Sequence, residues 1–149
     1  MTGLQKQALL KLVICAFVLT ALTVFFFSRG GANTFVQDST RKILVAVFLG
    51  AGYISIIIAQ FMTRKKPGSK RVLIDERDER IARFANGTAF TVLGVYIFLA
   101  CIILYEVYHN SEVLPVGWMW FLAYSSSFLS IMSHAVTTLF LYTRMGGHG

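Results

Sequence analysis

The chain has 149 residues, of which 56% are apolar and 14% charged, and its formal net charge is +7. That charged share is about half that of an ordinary soluble domain, and the mean hydropathy is +0.65. Four stretches without Asp, Glu, Lys or Arg (Leu12–Ser28, Ile43–Thr63, Phe84–Tyr105 and Val113–Thr143) together take up 91 residues, which excludes a soluble globular domain, a disordered chain and a disulfide scaffold.

In chain order, the first stretch predicts a membrane span over about 8–28. Its uncharged core is 17 residues, short of the roughly 20 that a bilayer needs, and a snorkelling Lys11 extends it. A cleaved signal peptide is the weaker reading, because Arg29 falls at the would-be cleavage site and the apolar core is too long. The second span covers 43–63. The third covers 84–108, and its helix starts earlier, near Asp75. The fourth covers 116–143 and is long enough to tilt or to run past the interface. Nearly unbroken apolar runs such as Val24–Phe27 and Ile54–Ile58 exclude the alternation of barrel strands. The expected fold is therefore all-α: one membrane domain, residues 1–149, with four transmembrane helices as an antiparallel bundle. Cys15 and Cys101 fall in different spans and read as small apolar fillers. Rows of small residues (Ala46 and Gly50; Ala51, Ser55 and Ala59; Gly87 and Thr91) predict close helix packing within the bundle.

Orientation follows from Lys and Arg. The 64–83 connection carries eight: Arg64, Lys65, Lys66, Lys70, Arg71, Arg77, Arg80 and Arg83. With Lys6, Lys11 and Arg144, eleven lie inside and three outside (Arg29, Arg41 and Lys42) when both termini are cytoplasmic. The expected location is thus the inner cytoplasmic membrane with that orientation. Arg41 and Lys42 pull against it. Tyr105, Tyr108, Trp118, Trp120 and Tyr124 form the expected outer aromatic belt, and Tyr142 with Arg144 marks the inner surface.

Only the 64–83 connection has an ordered extramembrane design. Pro67-Gly68-Ser69 makes a turn. Asp75 then caps a helix in which Glu76 reaches Arg80 and Glu79 reaches Arg83 at i,i+4, the favourable order. Arg64, Lys65, Lys66, Lys70 and Arg71 are expected to lie against anionic lipid headgroups. That would leave Asp75, Glu76, Asp78 and Glu79, with Arg77, Arg80 and Arg83 beside them, as a docking face for a protein partner. The plain alternative is a capped, solvated helix start followed by a stop-transfer cluster.

Asp75-Glu76-Arg77-Asp78, with Ile81 and Ala85 following just before the third span, resembles a family of small four-span bacterial and archaeal predicted membrane proteins of unknown function. The ending Leu141-Tyr142-x-Arg144-x-Gly146 is similar to that of several bacterial members. The likeness covers most of the chain and implies a membrane location without an established activity. Members often carry an acidic residue in the last span, where this chain has Ser133-His134.

The fourth span carries a polar stripe: Ser126, Ser127, Ser130, Ser133, His134, Thr137 and Thr138. Such a stripe should face other helices. His134 is the one ionisable residue deep in a span; Glu106 sits about 20 Å away in depth, too far to pair. A neutral His134 hydrogen-bonded to Ser or Thr across a helix interface is the expected arrangement, with a proton relay as the functional alternative. No metal or cofactor set is expected, since a metal site normally takes three or four ligands. Nor is there a catalytic motif, such as G-x-S-x-G or H-E-x-x-H. The basic pI of 9.7 is a topology signal, so nucleic acid is not an expected partner. The reading is a non-catalytic accessory subunit or regulator acting through its central loop. The alternative is a small proton-coupled transporter or channel using His134. Oligomeric state is left open.

Overall fold

The computed structural model describes residues 3–28, 30–35, 37–63, 76–111 and 113–146, and all regular structure among them is helical. The elements are α1 (Gly3–Phe27), α2 (Gly31–Phe35), α3 (Ser39–Thr63), α4 (Glu76–Tyr108) and α5 (Gly117–Gly146). Arg64, Lys65, Lys66, Lys70, Arg71 and Asp75 lie outside the described residues.

Among the described residues, three helices are long and apolar enough to cross a membrane: Leu4–Phe27, Ser39–Met62 and Glu76–Tyr108. The 30-residue α5 falls outside that set although it is uncharged as far as Arg144. Its serines, threonines and His134 lower its hydropathy, which is the physical reason that the sequence expectation of four spans divides into three clear helices and one polar one.

Packing runs in the order α3, α1, α5, α4, and no comparable packing joins α3 to α4. The register is visible in side-chain pairs. At the end remote from the chain termini (the distal end), Phe26 of α1 meets Trp118 and Phe121 of α5 at ring-centroid distances of 5.5 and 4.8 Å. Midway, Gly52 of α3 is so close to Val18 and Phe128 that a Cβ there would stand 3.1 Å from each. Tyr53 and Ser127 share a hydrogen bond at this level, and Tyr96 and Ser125 share another at 2.6 Å. Cys15, Leu22, Phe26, Phe35 and Phe128 fill the core between these levels.

The distal connection is tightly built. α1 gives way at Gly30 and Gly31, whose φ values of 94° and 62° suit residues without a Cβ. Asp38 caps α3 by accepting the Arg41 N–H at 3.2 Å. Arg41 itself is buried and donates to Thr34 Oγ1 at 3.1 Å and to the Phe25 carbonyl at 3.4 Å, an acceptor near the end of α1 that it shares with the Ser28 hydroxyl. This cation, which opposed the charge count, is a structural cap. α2, for which the sequence offered no signal, lies on the start of α5. A Cβ on Gly117 would overlap the Ala32 carbonyl oxygen and stand 2.8 Å from the Ala32 Cα.

Small residues pack differently from expectation. Gly50 and Gly87 have open space where a Cβ would go, and Ala51 and Ser55 are exposed, whereas Ala59 of the same row is buried. Spacing of four identifies a face of a helix, yet the face that meets a neighbour is set by larger side chains around it. The close approaches occur at Gly52 and Gly117, which belong to no such row.

Candidate functional site

Two places gather chemistry-bearing side chains. The first is the start of α4. Glu76 and Arg80 stand 3.8 Å apart and Glu79 and Arg83 2.9 Å apart, the two i,i+4 pairs that the spacing predicts. All four are exposed. The other side of the same turns is occupied. Tyr142 of α5 donates its hydroxyl hydrogen to the Asp78 carboxylate, and the Arg77 guanidinium lies 5.9 Å from the Tyr142 ring centroid. Ile81, Ala85 and Ala89 continue that face as buried residues of the α4–α5 seam. The expectation of a wholly free acidic face is therefore corrected. Asp78 is committed to Tyr142, whereas Glu76 and Glu79 remain outward-facing in exposed pairs with their own helix.

This arrangement joins two stretches that are remote in sequence. Arg77, Asp78, Ile81 and Ala85 come from one of them and Tyr142 from the other, and they meet at one end of a helix pair.

The second place is a cavity of about 350 Å³ with a mixed polar and apolar lining on the terminal side of the bundle. All four long helices line it: Lys11 from α1, Ile56 and Gln60 from α3, Asn86, Ala89, Phe90 and Leu93 from α4, and Ser130, Ile131 and His134 from α5. No carboxylate is among these residues. The expected hydrogen bond from the His134 ring to a Ser or Thr is not formed among the described residues. The polar stripe instead splits by direction. Ser125, absent from the expected stripe, turns to α4, and Ser127 to α3. Ser133 and Thr138 bond back to the Leu129 and His134 carbonyls, each at 2.8 Å. Thr137 is half-buried, and only Ser130 and His134 reach the cavity.

Sequence reasoning missed that Lys11, Gln60 and Asn86 line one cavity with His134. Their signal was present. A lysine inside an apolar run, an asparagine and a glutamine near the ends of two spans lie at comparable depth once the helices are paired. The two cysteines are free; Cys15 is a buried filler, as expected, but Cys101 is exposed on α4.

No curated protein and no solved structure matches the chain. Helices long and apolar enough to cross a membrane agree with a family match that covers almost the whole chain. Residues 5–145 match the family described as Predicted membrane protein (DUF2178), and the chain belongs to that family.

Proposed function

We propose that the chain is a non-catalytic, four-span antiparallel bundle of the inner membrane with both termini cytoplasmic. It acts as an accessory subunit or regulator through the segment that opens α4. The observation that carries this reading is the two-sided character of those turns. One side is locked to α5 by Asp78, Arg77 and Tyr142, and the other presents Glu76, Glu79, Arg80 and Arg83 to solvent. A clamped helix end holds its outer charges in a fixed pattern, and a fixed charge pattern favours specificity and steering of a partner. The neighbouring basic cluster, by the sequence reading, rests on anionic headgroups.

Transport through His134 is the second reading, and the polar cavity favours it. The packing of Gly52, Val18 and Phe128 closes the bundle on the distal side of the cavity, so the geometry suits a site better than a pore.

Glu76→Lys with Glu79→Lys tests the docking reading. The exposed pairs are worth only about 0.3–0.5 kcal/mol each, so the double variant should insert and fold normally. Site-specific photocrosslinking from Ala82, an exposed position beside these charges, should then lose a defined adduct that the protein without the reversal forms. An adduct pattern unchanged by the reversal would return this segment to a plain capped helix start.

A further inference from the structure

The cavity runs on into a groove beside it along α4. The lining of the cavity includes one ammonium, Lys11, and one imidazole, His134, with no acid to balance them. Lys11 makes no ion pair with any described residue. A half-buried ammonium without a counter-charge is costly in an apolar setting, and an anion supplied from outside removes that cost. Asn86 and Ser130 add neutral donors on the same wall.

The apolar side of the cavity does not end there. Phe90 and Leu93 line it and also line a second, almost wholly apolar groove of about 460 Å³ that continues past Gly94, Ile97 and Phe98 to Cys101. Gly94 leaves this groove open, because nothing lies within 4 Å of where its Cβ would be. Asn86 and Ile97 are about 16 Å apart along the helix axis, close to the ~15 Å that one leaflet contributes to the hydrocarbon core. Access is lateral: α3 and α4 each contribute to the cavity wall, yet no substantial packing joins them.

We propose that this site binds one anionic phospholipid from the leaflet on the side of the chain termini. Its phosphate lies by Lys11, His134 and Asn86, and an acyl chain lies along α4 over Gly94. Basic pockets between membrane helices recognise acidic headgroups by this chemistry. The inference needs the helices to span the bilayer. It does not depend on a protein partner at Glu76 and Glu79.

Native mass spectrometry of the full-length protein in detergent, titrated with dioleoyl phosphatidylglycerol, tests it. One phosphatidylglycerol should be retained in preference to dioleoyl phosphatidylcholine. Lys11→Gln should weaken that binding by about tenfold, the scale of one charge-assisted contact. Lys6→Gln, at an exposed position outside the cavity, should leave it unchanged. Gly94→Phe, placed in open space, should also displace the lipid while the helix content stays at the wild-type level. Equal retention of phosphatidylcholine would overturn the proposal, as would phosphatidylglycerol binding unaffected by both Lys11→Gln and Gly94→Phe. Displacement of the lipid by millimolar inorganic phosphate, with Gly94→Phe without effect, would assign the cavity to a free anion and refute the lipid.

Discussion

Tyr142→Phe removes one oxygen from the clamp between α5 and α4 and leaves the ring in place. Tyr142 is 4% exposed, so its hydroxyl has little recourse to water other than through Asp78, which is half-buried. A hydrogen bond to a charged acceptor contributes about 1.5–3 kcal/mol when shielded, and water access to Asp78 brings the expected loss to about 1–1.5 kcal/mol. Asp78→Asn alone should cost a similar amount. In the Asp78→Asn background, Tyr142→Phe should cost about 0.5 kcal/mol or less, which gives a coupling of about 1 kcal/mol in a double-mutant cycle. Tyr142→Ala should cost about 3–5 kcal/mol, because it also empties a ring-sized volume in the seam and removes the face under Arg77. The assay is reversible unfolding of the full chain in mixed micelles, followed by far-ultraviolet circular dichroism. If the two conservative variants are additive and each lies within 0.3 kcal/mol of wild type, a margin below ordinary additivity error, the clamp carries no energy and the argument fails.

Gly117→Ala should destabilise by about 1–3 kcal/mol, the usual cost of overpacking, because its new methyl meets the Ala32 backbone. Gly50→Ala, in open space, should be neutral or stabilising by up to about 1 kcal/mol; the same unfolding titration separates them, and equal effects would refute the close approach. For orientation, Ser69→Cys should label with an impermeant maleimide only from the cytoplasm and Asn110→Cys only from outside. The reverse pattern would overturn the charge count.

The helices were legible in the sequence because bilayer length and the lack of charge are local properties. Ser39–Thr63 and Gly117–Gly146 begin and end within a few residues of the expected spans 43–63 and 116–143. The Glu76–Arg80 and Glu79–Arg83 pairs were legible for the same reason, since i,i+4 partners share one helix. Asp78 was not, because its partner Tyr142 lies 64 positions away and nothing in either segment names the other. The burial of Arg41, which pulls against the charge count, was not legible, because burial is a property of the assembled turn, where Thr34 and the end of α1 surround it. The cavity was half legible. His134 stood out as a lone ionisable group, but the depth at which Lys11, Gln60 and Asn86 meet it follows only from how four helices pair.

α5 packs with α1, α2 and α4 and is also the most polar of the long helices in its central turns. The segment with the weakest tendency to leave water is thus the one on which the others assemble. Ser127 and Ser125 bond to Tyr53 and Tyr96, whereas Ser126, Ser133 and Thr138 bond to carbonyls of their own helix, so part of the polar cost of insertion is offset only when those neighbours are present. This implies an order of biogenesis. α1, α3 and α4 can enter the bilayer on hydropathy alone, and on the proposed four-span reading α5 completes insertion as it docks. On this account its arrival is a folding step as much as a translocation step, and a chain stopped before Gly117 would leave α1 and α4 in the membrane without the element that joins them.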